Sequence, residues 1–292
     1  MADLEALRNE LRRLETVVVA FSGGADSAFL AWVAQDTLGP DRAVAVTAVS
    51  ESLAPEERAD CAALAAEWGL SWREVTTHEL DRSDYVANDG LRCFHCKAEL
   101  MSVLAPIAAD AATAGAGPHP AGGDDAAGRA AVVVLGVNLD DLGDHRPGQR
   151  AAAEAGAVFP LVGAGFAKAD VREWSRRLGL RTWDKPAAAC LASRLPYGTP
   201  VTLVALSSVT RAESALRAMG FTQLRVRHYG TTARIELGED QLSEALDRRR
   251  ELVESVKAAG YDYVTLDLEG FRSGNLNQAL ASGPAGRGRN GQ

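Results

Sequence analysis

Apolar residues recur along this chain in two periods, and the alternation between them predicts its architecture. Leucines at 4, 7, 11 and 14 lie among charges at helical spacing. A β-branched run, Val17 to Val19, reads as a buried strand; it stops at Gly23 and Gly24 and restarts as an Ala- and Leu-rich helical pattern from Asp26 to about Gly39. Ala43 to Val49 predicts a second strand, Pro55 to Trp68 a helix with Cys61 as a small core residue, and Ser71 to Thr76 a third strand. Strand and helix alternate, so the sheet should be parallel. Residues 84 to 105 read as mostly helical, interrupted at Asn88-Asp89-Gly90. From Pro106 to Ala131 the chain is nearly all Ala, Gly, Pro and Asp, too poor in large apolar side chains to pack, and 110 to 129 reads as a mobile loop with His119 solvated.

Ala131 to Val137 predicts another buried strand, and a helix follows from about Lys168 to Leu178. After a small-residue segment from Lys185 to Gly198 comes an α-β-β-α-β pattern: helix 202 to 219, strands 223 to 229 and 231 to 237, helix 239 to 259, strand 261 to 268. The expected division is a parallel α/β domain over 1–184 with an insertion at 106–131, a smaller α+β domain over 185–280, and a disordered tail from 281 to 292.

Length supports two cores, since the chain has 292 residues and single cores seldom grow beyond about 250. Lys and Arg number 31 against 39 Asp and Glu, a net charge of −8, so no overall positive field draws nucleic acid or an anionic membrane. No run approaches the roughly 20 apolar residues of a membrane span, and no secretory pattern opens the chain. A cytoplasmic location is expected. There the four cysteines point to metal or catalysis rather than disulfides.

The first strand and turn carry the strongest chemical signal. Gly23 and Gly24 free the backbone, Asp26 and Ser27 open a helix, and the hydroxyls of Ser22 and Ser27 join unpaired amides at its positive end. Such a turn suits phosphate. It is neither Gly-x-x-x-x-Gly-Lys-Ser/Thr nor Gly-x-Gly-x-x-Gly. Ser-Gly-Gly-x-Asp-Ser after a strand resembles the pyrophosphate loop of the ATP pyrophosphatases, which implies that the amides hold pyrophosphate and that Asp26 helps hold magnesium. Asp140 and Asp141 follow the 131–137 strand, on the rim where parallel sheets bind ligands, and could share that magnesium; capping the next helix is the alternative.

Cys93 and Cys96 have a spacing that lets two thiolates meet one metal. With Cys190 they could hold a [4Fe–4S] cluster with one iron open to substrate or to an extra sulfide; a zinc site completed by His95 or His78 and a plain redox pair are the alternatives. Cys190, followed by Arg194, could also act as an exposed thiolate nucleophile. Arg225 and Arg227, with Arg234 and Glu236 on the paired strand, alternate with apolar residues; two guanidiniums on one face suit a phosphate or carboxylate, although a solvated sheet face would show the same alternation.

Taken in order, the Ser22 to Ser27 loop, Gly-Val-Asn-Leu-Asp-Asp-Leu-Gly-Asp-His-Arg-Pro-Gly from Gly136, Lys-Pro-Ala-Ala-Ala-Cys-Leu-Ala-Ser-Arg-Leu-Pro-Tyr-Gly from Lys185, Arg-Val-Arg-His-Tyr-Gly from Arg225 and Tyr-Val-Thr-Leu-Asp-Leu-Glu-Gly-Phe-Arg-Ser-Gly from Tyr263 closely resemble one group. It is the ATP-dependent sulfur transferases that build the nickel-pincer cofactor of lactate racemase (the LarE family). The resemblance spans about residues 5 to 280 and implies a PP-loop fold with ATP and Mg2+. It also implies adenylation of a pyridinium-3,5-dicarboxylate mononucleotide, followed by displacement of AMP by sulfur. In single-cysteine members the residue matching Cys190 gives up its own sulfur; the trio here resembles members whose [4Fe–4S] cluster carries a sulfide. The resemblance further implies a homo-hexamer, Arg194, Arg225 and Arg227 around the substrate phosphate, and exchange with sulfur-donor or cofactor-pathway enzymes. Two rivals remain at this point: a tRNA thiolase of the same superfamily, disfavoured by the acidic charge, and an ATP sensor without turnover.

Overall fold

A computed structural model describes residues 1–114, 130–143, 146–186 and 189–272. The core of the expected loop, with His119, and the expected tail lie outside the described residues. In chain order the elements are α1 (Leu4–Leu14), β1 (Val17–Ala20), α2 (Ala25–Leu38), β2 (Ala43–Val49), α3 (Pro55–Trp68), β3 (Trp72–Thr76), α4 (Ser83–Val86) and α5 (Arg92–Ala114). They continue with β4 (Val132–Leu135), α6 (Pro147–Glu154), α7 (Pro160–Gly163), α8 (Lys168–Arg177), α9 (Leu203–Ala218), β5 (Leu224–Tyr229), β6 (Thr232–Leu237), α10 (Leu242–Asp247), α11 (Arg249–Ala258) and β7 (Tyr263–Leu266).

Two compact units divide this chain: Met1–Arg82 with Leu91–Ala188, and Ser83–Gly90 with the chain from Ala189 onward. In the first unit the strands pair in the order β3-β2-β1-β4, all parallel, with Val17 opposite both Ala43 and Val132. Alternate residues of β1 face opposite ways, as a pleated strand requires. Val17 and Val19 join α1, α2 and α8 in one core, while Val18 joins α5 in another. Helices therefore cover both faces of the sheet. The chain moves outward from β1 to β2 and β3, then returns to place β4 on the other side of β1, so the loops after β1 and β4 meet at the topological switch point.

In the second unit β5 and β6 are antiparallel and β6 and β7 parallel. One face of this mixed sheet packs on α9 and α11 through Leu216, Val226, Ile235 and Val256, all fully buried. Asn88, buried at a left-handed φ of 52° that Asn tolerates better than most residues, ties its segment into this unit. Its Nδ2 donates to the carbonyls of Pro196 at 2.8 Å and Thr199 at 2.7 Å.

Two expected boundaries move. The helix expected to end near 105 continues to Ala114 through Pro106, because Met101, Leu104, Ala108 and Ala111 repeat at three- and four-residue spacing and pack into the core. That burial outweighs the one hydrogen bond a proline removes. The single helix expected over 239–259 breaks at Arg248, whose backbone leaves the helical region at φ −95°, ψ 18° while its guanidinium reaches the Met219 carbonyl at 2.7 Å.

Candidate functional site

In the first unit the site is built on the turn between β1 and α2. Ser22 donates its amide to Ser27 Oγ at 3.2 Å, the two hydroxyls lie 3.0 Å apart, and Ser27 Oγ donates to the Gly24 carbonyl at 3.1 Å. The turn thus braces itself. Amides at the start of α2 have no acceptor within the helix and sit at its positive end. Gly23 has φ +68°, and a Cβ there would lie 2.9 Å from Cys61 Sγ. Cys61 is fully buried, and burial pushes its thiol up to about 11, so it serves as packing beneath the turn.

Beyond β4, Asn138 organises the acidic rim. It is 1% exposed; its Nδ2 donates to Asp26 Oδ1 at 3.2 Å, its Oδ1 accepts the Asp140 amide at 3.0 Å, and its own amide donates to Asp141 Oδ2 at 3.1 Å. One buried amide side chain therefore brings Asp26, Asp140 and Asp141 into one network. Lys168 closes it: its Nζ pairs with Asp26 Oδ2, and its backbone amide donates to Asp140 Oδ2 at 2.6 Å. Asp140 thereby receives the first amide of α8, and Asp141 pairs with Arg146 Nη1 at 2.8 Å. Neither Asn138 nor Lys168 stands out in the sequence; their partners lie 112 and 142 residues away.

The second unit holds the arginines, and they are buried rather than solvated. Arg225 faces Glu236 across the β5–β6 ladder, and Arg227 faces Arg234. Arg227 forms a fork with Glu236 at 3.0 and 2.9 Å and donates to the Ser193 carbonyl at 2.8 Å. Arg194 forks Glu213 at 2.8 and 3.1 Å, and its remaining nitrogen donates to the carbonyls of Ala189 at 2.7 Å and Cys190 at 3.3 Å. Glu213 is wholly buried; burial raises its carboxyl, but Arg194, the Val226 amide and Arg217 outweigh that and hold it below the ordinary range. Arg225 differs. It is 7% exposed, stacks on Phe271 at 4.6 Å, and has no carboxylate of its own among the described residues. Burial and the neighbouring charges of Arg194 and Arg227 push it down to about 10. At neutral pH it is a buried cation in need of an anion.

Cys93 is exposed and Cys96 half-buried on the first turns of α5, three residues apart and so on one helix face. Gly148 of α6 sits against them: a Cβ there would lie 2.9 Å from the Cys93 carbonyl. Cys190 is exposed in the second unit, at the start of a 3-10 turn. Among the described residues no group of three or more His, Cys, Asp or Glu is placed to hold a metal ion. Magnesium is commonly held by one or two carboxylates plus substrate phosphates, and the all-oxygen rim of Asp26 and Asp141 fits it. The adjacent thiols of Cys93 and Cys96 fit soft iron–sulfur ligation on one side.

A self-braced glycine turn at the switch point of a parallel sheet, with an acidic rim beside it, defines an ATP-using enzyme of the PP-loop ATP pyrophosphatase class. Residues 4–89 match the NAD synthase family. Over 279 residues the chain is 44% identical to an uncharacterised protein of Synechocystis sp., covering 95% of this chain and 97% of that one. Over 270 residues it is 37% identical to the pyridinium-3,5-bisthiocarboxylic acid mononucleotide synthase of Lactiplantibacillus plantarum, covering 92% of each. The chain belongs to that synthase family.

Proposed function

We propose that this enzyme replaces carboxylate oxygens of a pyridinium-3,5-dicarboxylate mononucleotide with sulfur, using ATP. The turn from Ser22 to Ser27 takes the ATP phosphates, and Asp26 with Asp141 holds their magnesium. A substrate carboxylate oxygen attacks the α-phosphate, the bond to pyrophosphate breaks, and an acyl adenylate forms. A sulfur nucleophile then attacks the acyl carbon, and AMP leaves with the original carboxylate oxygen. The product is a thiocarboxylate, and both carboxylates react in turn. Arg225 is the natural partner for the substrate phosphate, because Arg194 and Arg227 already have carboxylates of their own and act as its frame.

The observation that carries this reading is the Asn138 network, which sets Asp26 and the Asp140–Asp141 pair around one phosphate-binding turn. The L. plantarum relative's activity supports the substrate class. When bound by Cys93, Cys96 and Cys190, a [4Fe–4S] cluster supplies an open iron position for a transferable sulfide. A second reading, sacrifice of the Cys190 sulfur, is favoured by the exposure of that thiol and by the way Arg194 straps its backbone. Anaerobic protein incubated with ATP and the dicarboxylate separates them. Pyrophosphate release with a thiocarboxylate product and bound iron and sulfide supports carriage; the same product with a protein lighter by one sulfur supports sacrifice. No pyrophosphate release overturns the reading.

A further inference from the structure

The glycine turn is gripped from behind as well as open in front. Lys185 Nζ donates to the Gly23 carbonyl at 3.1 Å, to Glu57 Oε2 at 2.8 Å and to Asp60 Oδ2 at 2.6 Å. An ammonium has three protons, and each has an acceptor here, so the nitrogen is fixed in place. Glu57 and Asp60 are neighbours on one face of α3. Asp60 also accepts from Arg181 Nη2 at 2.6 Å, and Arg181 Nε donates to Glu67 at 2.7 Å, which anchors the acidic face to which Lys185 is tied. Burial pulls the Lys185 ammonium down, but its hydrogen bonds to Asp60 and Glu57 outweigh this and hold it above the ordinary value.

The carbonyl it grips has a particular consequence. In a planar trans peptide the C=O and the N–H point in opposite directions, and none of the described peptides is cis. The other end of the Gly23 carbonyl's peptide is the Gly24 amide, which immediately precedes α2. Holding that carbonyl toward α3 aims the Gly24 N–H away from α3. Two adjacent glycines resist rotation of the peptide between them less than any other pair. The packing atom under Gly23, Cys61 Sγ, fills space without an oxygen or nitrogen to choose an orientation. Lys185 makes that choice.

We propose that Lys185 is a positioning residue that sets the Gly23–Gly24 peptide so that the Gly24 amide donates to a phosphate oxygen held in the turn. This rests on the turn being the phosphate site; Lys185 acts through the backbone and touches no substrate. The test uses the full chain with inorganic pyrophosphate and magnesium, binding being measured by calorimetry and the Gly24 amide proton followed by NMR. Wild type should bind, with a downfield shift of that proton. Lys185→Met should bind about tenfold more weakly, the scale of one hydrogen bond to a charged group, and lose the shift; Lys185→Arg should restore part of both. A triple variant, Glu57→Gln with Asp60→Asn and Lys185→Met, has no stranded carboxylates to weaken the fold or repel the anion, and should show the same two losses. If wild type binds and both Met-containing variants bind as tightly with the same shift, the positioning role is overturned and the phosphate site stands. If wild type itself does not bind, both fall.

Discussion

Replacing Gly136 by alanine should damage nucleotide binding more than folding, and the structure gives the scale. A Cβ on Gly136 would lie 2.7 Å from Ser27 N, 2.8 Å from Asp26 C and 2.9 Å from Ser27 Cα. All three are backbone atoms of the first turn of α2, so no rotamer change relieves the clash. Reaching an ordinary contact of 3.4 Å demands a displacement of 3.4 − 2.7 = 0.7 Å. Overpacking of this kind costs about 1–3 kcal/mol, or roughly 2–4 °C in melting temperature per kcal/mol at about this chain length. The same displacement stretches a phosphate hydrogen bond of about 2.9 Å to about 3.6 Å, past useful length. Losing one or two bonds to an anion, at about 1.5–3 kcal/mol each, should weaken ATP binding by about tenfold to several hundredfold. Calorimetric titration with ATP and a thermal melt of the same protein measure both quantities. Gly143→Ala is the control, since nothing lies within 4 Å of a Cβ there. A Gly136→Ala protein that binds ATP like wild type would refute the claim that the end of β4 sets the first turn of α2.

Arg225→Gln removes a buried guanidinium that lacks a carboxylate, so the unliganded protein should melt at the same temperature or higher while substrate binding weakens at least tenfold; paired melting and binding measurements check the opposite signs. Glu213→Gln leaves Arg194 buried with a neutral partner and should cost about 3–5 kcal/mol in urea unfolding at neutral pH. Because the native Glu213 carboxyl lies below its ordinary 4.5, its stabilisation is present above that pH and fades as pH falls through the native value; the gap between wild type and the variant should close on acidification. Lys168→Met frees Asp26 from its internal cation, so magnesium affinity without nucleotide should rise several-fold by titration.

Where local pattern settles an element, sequence reading reached it: β2 and α3 fall on their expected residues, and the parallel sheet follows from the alternation of strand and helix. Composition misled at Pro106, where small residues hid a helical repeat whose alanines are buried by the neighbouring sheet. The short helices α4, α6 and α7 are too brief to show a period. At the site, the glycine turn and the acidic pair are legible because their chemistry is local. Asn138, Lys168 and Lys185 are not, since each gains its role from a partner more than a hundred residues away. Glu213 left one trace, an acid on an otherwise apolar face of α9 with Arg217 four residues on. The alternating arginines looked like a solvated face because period two cannot tell a wet face from one carrying buried carboxylates.

The central claim is that a carboxylate of the substrate, and not water or sulfide, attacks the α-phosphate of ATP. Heavy-oxygen label placed in the carboxylates of the pyridinium mononucleotide tests it directly, with the AMP released during turnover analysed by mass spectrometry. The account expects each AMP to carry one labelled oxygen, matched by one sulfur gained in the product. Unlabelled AMP accompanying the same thiocarboxylate would contradict it.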